Sequence, residues 1–375
     1  MNDMIFSCEK ALLNAAVNIA GRAVAPKSSI PALEGILLEA ENGKITLTGY
    51  NLETGIRTTA EANVKEEGSL VLSARLFGDI VRSLPDDMVK VSTDGLTVNI
   101  TCGLSDFHIM GTDPAEFPDL PSVDDGNALF IHQGKLKSMI AQTIFAVSDN
   151  ESRPIHTGSL FEIDNKMLTV VSVDGYRLAL RREEIDHTVN AQGFSFVAPG
   201  AALKEVERIC TDSEDMAEIT QGKRHILFQM GSTLLISRKL EGEFLNYKQT
   251  IPRTNPVRIT AAKREIQTAV ERVSLIISEK LKSPLRCTFG DNNLTITTKT
   301  AVGEAFDSCS FQGDGKGLEI GFNHRYLMDA VKVAPADEIV MELNTPTSPC
   351  LILPGEGKEE SFLYMVLPVR LKAGD

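Results

Sequence analysis

Val81, Val206 and Val331 follow one another at intervals of 125 residues, and each closes the same apolar pattern. The pattern is Leu76-Phe77-Ile80-Val81 in the first instance, Ala202-Leu203-Val206 in the second and Leu327-Ala330-Val331 in the third. Apolar residues at i, i+1, i+4 and i+5 fall on one side of a helix with about 3.6 residues per turn. Each instance therefore predicts an amphipathic helix with one stripe against a core. Such spacing constrains the chain to one unit written three times.

A second helix recurs ahead of each of these, through Leu12-Leu13-Ala16-Val17-Ala20, Leu136-Met139-Ile140-Ile144 and Ile266-Ala269-Val270-Val273. Elsewhere the period changes to 2, as in Ile45-Thr46-Leu47-Thr48, Val89-Lys90-Val91-Ser92, Leu168-Thr169-Val170-Val171 and Leu294-Thr295-Ile296-Thr297, which predicts strands with one buried face. Asn42-Gly43, Asp94-Gly95 and Asp164-Asn165 stand between such runs, where positive φ favours Gly, Asn and Asp. Each repeat reads helix, antiparallel strands, helix, more strands. The expected class is α+β: three repeated domains, each with two helices packed on antiparallel sheets.

The joints are marked by proline. Asp113-Pro114-Ala115-Glu116-Phe117-Pro118-Asp119-Leu120-Pro121 and Ile251-Pro252-Arg253-Thr254-Asn255-Pro256 favour extended connections, because proline lacks a donor and fixes φ. The domains are expected at 1–121, 122–255 and 256–375.

With 42% hydrophobic and 24% charged residues, the composition suits a soluble globular protein with three modest cores. No apolar run approaches the roughly 18 residues that cross a membrane. Asp3, Glu9, Lys10 and Asn14 interrupt the N-terminal stretch, against a signal peptide. Cys8, Cys102, Cys210, Cys287, Cys309 and Cys350 form no CxxC pair, which predicts small core residues in a reducing cytoplasm.

The sequence points to no catalytic residue, metal or cofactor. His108, His132, His156, His187, His225 and His324 never fall at HExxH or HxxH spacing, and no GxSxG, GxGxxG or P-loop occurs. Gly313-Asp314-Gly315-Lys316-Gly317 lacks the phosphate-loop spacing and its Ser or Thr, and reads as a hairpin turn. A general acid–base pair cannot be picked from 51 acidic residues without geometry.

A net charge of −13 should repel a polyanion such as DNA, yet the helix windows differ from the rest. They hold Lys10, Arg22, Arg75, Arg82, Lys135, Lys137, Lys204, Arg208, Lys263, Arg264, Arg272, Arg325 and Lys332 against Glu9, Asp79, Glu205, Glu207, Glu265, Glu271 and Asp329. That is +6 on the helices and −19 elsewhere, with only the fourth window balanced. One reading is that these are simply solvated helix faces. The other, favoured by a bias of one sign in five helices of an acidic chain, is a shared basic surface suited to sequence-independent phosphate contact.

The chain resembles the bacterial DNA polymerase III β subunit family, the sliding clamps, along essentially its full length and in family order. The resemblance is carried by Thr46-Leu47-Thr48-Gly49-Tyr50-Asn51-Leu52-Glu53, Ala115-Glu116-Phe117-Pro118-Asp119-Leu120 and Val173-Asp174-Gly175-Tyr176-Arg177-Leu178-Ala179. It continues through Gly242-Glu243-Phe244-Leu245-Asn246-Tyr247, Ile320-Gly321-Phe322-Asn323 and Tyr364-Met365-Val366-Leu367-Pro368-Val369-Arg370-Leu371. It implies three DNA-clamp domains closing with a second copy into a head-to-tail dimeric ring, helices inward around double-stranded DNA and sheets outward. The implied function is non-catalytic: processivity, by tethering the DNA polymerase III alpha subunit, the clamp loader and other clamp-binding-motif proteins, without a membrane.

By match to family motifs, Arg153, Gly175, Tyr176, Arg177, Leu178, Leu245, Thr250, Met365, Leu367, Pro368 and Arg370 are expected around an apolar partner-peptide pocket between the second and third domains. Met and Leu adapt to several peptides, and Arg153, Arg177 or Arg370 can pair with a carbonyl or an acid. On residue chemistry alone, Arg370 also reads as a surface cap on the last strand and Leu367 as core packing. Family positions point to Lys27 and Asn150 on loops, and Arg82, Lys135, Lys204 and Arg208 on helices, for DNA contact. They point to Phe107 and Ile109 of one chain meeting Leu275 and Ile276 of the other, a heterologous contact that closes when the rotation allows. Phe107 and Ile109 alternate as on an edge strand with one covered face. Two departures stand out: the family commonly has proline where Leu245 stands, and residues 372–375 extend past its usual last leucine as a short polar tail expected to be disordered. The alternative reading is an enzyme of repeated α+β domains with a site in an interdomain cleft.

Overall fold

The computed structural model describes residues 3–123, 127–185, 187–189, 193–278, 283–355 and 361–371. The tail at 372–375 lies outside them. Among the described residues are 24 strands and the helices α1 (Lys10–Ala20), α2 (Ala74–Ser83), α3 (Gln133–Ala141), α4 (Gly200–Ile209), the single turn α5 (Tyr247–Thr250), α6 (Lys263–Ser274) and α7 (His324–Val333).

The six longer helices are the expected pairs, and their buried residues follow the expected stripes. Leu13, Ala16, Val17 and Ala20 are buried on α1; Phe77, Ile80 and Val81 on α2; Ile266, Ala269, Val270 and Val273 on α6; and Leu327, Ala330 and Val331 on α7. Leu12 and Leu76 do not belong to those stripes: they are 42% and 46% exposed. Adjacent helix positions differ by about 100°, and only the second of each leucine-led pair faces the core. Ile144 also falls outside its helix, because α3 stops at Ala141 and the Thr143 hydroxyl donates to the Met139 carbonyl at 2.8 Å. At the start of α7 the Asn323 side chain accepts from the Arg325 amide at 3.0 Å, which satisfies an otherwise orphan donor.

The chain forms two compact units. Unit 1 takes Met1–Leu136, Asp186–Gln192 and Glu205–Lys239; unit 2 takes Lys137–Ile185, Gly193–Lys204 and Leu240–Asp375. Unit 1 contains a five-stranded antiparallel sheet in the order Asn63–Glu66, Ile5–Glu9, Met88–Asp94, Thr97–Cys102, Ser105–Met110. Its second sheet runs His187–Val189, Asn127–His132, Met216–Gln221, His225–Met230, Thr233–Arg238, Thr54–Glu61, Lys44–Tyr50, Gly35–Glu41, Gly68–Ser73. Unit 2 holds a ten-stranded sheet: Ser195–Pro199, Gly158–Asp164, Met167–Val173, Arg177–Glu184, Phe362–Val366, Cys350–Pro354, Glu338–Leu343, Val257–Ala262, Gly303–Phe322, Leu285–Thr300.

These orders explain why the compact units do not follow the 125-residue period. Thr233–Arg238 of the second repeat pairs with Thr54–Glu61 of the first, and Arg177–Glu184 of the second pairs with Phe362–Val366 of the third. Sheets thus run across both repeat joints. In unit 1, α1 and α2 cover a core including Phe6, Leu38, Leu47, Val91 and Ile100; in unit 2, α6 and α7 cover one including Phe289, Phe322 and Tyr364.

Three local expectations change. Leu168, Thr169, Val170 and Val171 are all buried, so this strand is covered on both faces. The turn after Asp164 is Asn165-Lys166, both at positive φ (47° and 70°), which completes a two-residue hairpin loop one position later than the sequence suggests. Gly313–Gly317 is not a hairpin turn but a bulged stretch inside Gly303–Phe322, with Asp314 opposite Asp291. A Cβ on Gly315 would lie 2.5 Å from the Phe289 carbonyl oxygen, so the glycines there admit a neighbouring backbone.

All six cysteines are buried and free, and burial pushes the Cys8 and Cys309 thiols up to about 11. No helix among the described residues is long and apolar enough to cross a membrane.

Candidate partner cleft and nucleic-acid-facing helices

The expected pocket residues lie in unit 2, built around one turn. Asp174 Oδ1 accepts from the Tyr176 and Arg177 amides at 2.9 and 3.0 Å, and Gly175 takes φ +92°, which an L side chain adopts only under strain. The strand leaving that turn pairs Leu178 with Met365, and the Leu367 amide donates to the Tyr176 carbonyl at 2.8 Å. Leu178 and Met365 belong to a buried cluster with Val173, Leu351 and Tyr247, against which Ile155, Phe244 and Ile251 pack. At its margin Leu367 and Pro368 are half-buried, and Leu245, Thr250, Arg153 and Arg370 are exposed. An adaptable apolar floor with half-covered Leu and Pro and two free-standing cations suits a short apolar peptide.

Arg177 is engaged within its own chain. Its Nε donates to Asp174 Oδ2 at 2.8 Å, its Nη1 bonds Asp329 on α7, and its guanidinium lies 4.6 Å from the Tyr326 ring centroid and 5.4 Å from that of Phe145. Two carboxylates and two rings hold its guanidinium, so Arg177 pins the turn, while Arg153 and Arg370 are exposed. Tyr176 stacks on Tyr326 at 5.8 Å while 60% exposed. Beyond this pair is a cavity of about 510 Å³ lined by Asn150, Asn323, His324 and Asp329. His156 sits edge-on to Phe244 at 5.8 Å, and its pKa is lowered by burial and then by Arg153.

The candidate DNA contacts divide by neighbourhood. Lys27 is exposed on a loop, Lys204 is exposed on α4, and Lys135 is half-buried on α3. Arg82 bonds Asp79 at 3.0 Å and Arg208 bonds Glu205 at 2.6 Å, each one helical turn back. Asn150 Oδ1 already accepts from the Ser152 amide at 3.0 Å. Of the other helix cations, Lys10, Arg22 and Arg272 pair with Asp86, Glu205 and Asp307, and Lys263 donates to the Ala334 carbonyl that ends α7. Arg75, Lys204, Arg264 and Lys332 are exposed and enter no ion pair among the described residues. Exposed pairs contribute only about 0.2–1 kcal/mol, which a phosphate can outbid. Arg22, Arg75 and Arg82 line one groove of about 1050 Å³ in unit 1.

Models of the DNA polymerase III beta subunit match the chain in three consecutive pieces: the N-terminal domain at residues 4–121, the central domain at 130–246 and the C-terminal domain at 248–370. The chain belongs to this family, the sliding clamps. The beta sliding clamp of Staphylococcus aureus is 32% identical over 362 residues, covering 93% of this chain and 94% of that one. The beta sliding clamp of Halalkalibacterium halodurans is 32% identical over 367 residues, covering 94% and 96%. The crystal structure of the Bacillus subtilis DNA polymerase sliding clamp superposes with a TM-score of 0.92 at 28% identity, covering 98% of this chain and all of that one.

The candidate clamp interface residues fall on sheet margins. Ser105–Met110 is the last strand of its sheet, and its Phe107 and Ile109 pack on the unit 1 core while Met110 is 67% exposed. Leu275 follows α6 and is 84% exposed; Ile276 is half-buried. Leu285–Thr300 ends the unit 2 sheet and presents a second edge. Sequence reasoning missed Asp174, Tyr326 and Asp329 as the holders of the turn, and Ile155 as part of the cluster. Phe244 and Tyr247 stand inside a quoted motif, where their size and apolarity were the available signal. No group of three or more His, Cys, Asp or Glu suited to a metal occurs among the described residues.

Proposed function

We propose that this sliding clamp encircles double-stranded DNA as a head-to-tail homodimer and confers processivity without catalysis, holding the replicative polymerase, the clamp loader and other motif-bearing proteins at the unit 2 cleft. The three clamp domains in unbroken order carry this reading. The domains are taken as 1–121, 122–255 and 256–375, and the compartment as the bacterial cytoplasm. Cations on otherwise acidic surroundings support it: Lys27, Arg82, Lys135, Lys204 and Arg208, with Asn150, cushion the duplex, and shape retains it. Phe107 and Ile109 brace the edge strand of one protomer from beneath, and Leu275 and Ile276 of the other meet it.

The test compares nicked circular with linearised plasmid at salt that abolishes ordinary charge contacts. Loaded protein stays on circles and leaves linear DNA; equal loss from both contradicts threading. A Leu367→Ala, Arg370→Ala variant remains dimeric and loses polymerase stimulation.

A further inference from the structure

Unit 1 reproduces the backbone frame of the unit 2 cleft. Asn51 Oδ1 accepts from the Glu53 and Thr54 amides at 3.0 and 2.8 Å, as Asp174 does from Tyr176 and Arg177. Leu52 takes φ +73° where Gly175 takes +92°. The Arg238 amide donates to the Glu53 carbonyl at 3.0 Å, as Leu367 does to Tyr176 at 2.8 Å. Gly55 pairs with Ile236 as Leu178 pairs with Met365, and the isolated bridge Val71–Thr112 matches Val197–Leu240. Beyond that bridge the segments Glu116-Phe117-Pro118-Asp119-Leu120 and Glu243-Phe244-Leu245-Asn246-Tyr247 share a pattern in which Phe117 answers to Phe244 and Leu120 to Tyr247.

The contents differ. Where Leu178 fills unit 2, unit 1 has Gly55, and a Cβ there would lie 2.4 Å from Leu120 Cδ2 and 3.2 Å from Tyr50 Cδ2. Leu120 packs on a cluster of Tyr50, Val71 and Phe117. Its counterpart Tyr247 is buried in the unit 2 cluster and donates its hydroxyl to Glu162, while Leu178 takes the position that Gly55 leaves empty for Leu120.

We propose that the joint Phe117–Leu120 is the resident occupant of a second docking cleft, with Leu120 as the seated side chain. Once vacated, that cleft takes from outside the ligand class its occupant defines: an extended peptide presenting a leucine. The proposal rests on reading the unit 2 frame as the docking cleft, and it explains how a chain with two such frames offers one to partners.

The probe is fluorescein-Glu-Phe-Pro-Asp-Leu-Pro-amide, a copy of residues 116–121, titrated into the full chain. Leu120→Asp places a carboxylate in the apolar seat and lifts the joint. Leu120→Asn replaces Leu120→Asp if circular dichroism shows the latter unfolded. Each folded variant binds one more peptide per chain than wild type, and keeps it when Leu178→Glu is added. An unchanged stoichiometry overturns the proposal. Wild type binding no peptide while Leu120→Asp binds one supports the unit 1 cleft and counts against the unit 2 reading alone; binding by none of them overturns both.

Discussion

Arg177 stacks its guanidinium 4.6 Å from the centre of the Tyr326 ring while its Nε holds Asp174 at 2.8 Å, so one side chain ties the cleft turn to α7. Charge, fork geometry and a flat apolar face are used at once, a combination that lysine does not offer.

Removing that side chain leaves Asp174 largely buried without its cation, a loss that typically reaches about 3 kcal/mol for a buried pair. Asp329 is 42% exposed and rehydrates, which holds the expected loss for Arg177→Ala to about 2–3 kcal/mol. Arg177→Lys should recover little of it. Urea unfolding of the three proteins checks this, and a loss below about 0.5 kcal/mol would show that the turn stands without its pin.

Thr58 and Thr233 share a buried hydroxyl hydrogen bond of 2.8 Å at the seam between first- and second-repeat strands. Thr233→Val strands the Thr58 hydroxyl, and the expected loss is about 1–3 kcal/mol. Replacing both with valine removes the stranded group together with the bond and should restore most of that stability. A double-mutant cycle reads the coupling directly; strictly additive losses would mean that the two hydroxyls do not depend on each other.

The helices were legible because a 3.6 period survives wherever one stripe is buried, as in Ile266-Ala269-Val270-Val273. Leu12 and Leu76 fall outside the buried stripes because periodicity alone does not tell which of two adjacent apolar residues, Leu12 or Leu13 and Leu76 or Phe77, turns inward. Strand Met167–Val173 lost its alternation for a different reason: with both faces covered, nothing selects polar residues on either side. The motifs Gly175–Leu178 and Met365–Pro368 come together because they stand at the ends of two paired strands. The commitment of Arg177 was not legible, since Asp329 lies 152 residues away and only the folded sheet and helix bring it near. Likewise Lys263 counted as a surface cation until its Nζ was placed 2.8 Å from the Ala334 carbonyl.

His156, His225 and His324 are all held below the ordinary histidine value of 6.5, each by burial first and then by Arg153, by Arg238 and Arg224, and by Arg325 respectively. As pH falls through 6.5 the unfolded chain takes up protons that the folded chain resists, so stability is full above that point and declines below it. Thermal midpoints should therefore rise between about pH 5 and pH 7 and level off above. Asp86 and Asp307, lowered by Lys10 and Arg272, lose their stabilisation only near and below 3.8, outside that window. A His156→Gln, His225→Gln, His324→Gln variant flattens the slope; an unaltered slope would assign it to other groups.

Leu275 offers a separable test of assembly. At 84% exposure it has little to lose within its own protomer, and Leu275→Asp should shift folding stability by no more than about 0.5 kcal/mol. A large exposed leucine in a unit whose sheet ends in an edge strand is the arrangement an isolated protomer avoids and a heterologous contact uses. A buried carboxylate at such a contact lacks a partner, so the same substitution should convert dimers into soluble, folded monomers in sedimentation velocity. Adding Ile276→Asp completes the conversion if it is partial. Dimers that persist in the double variant, at unchanged melting temperature, would place the contact on another surface.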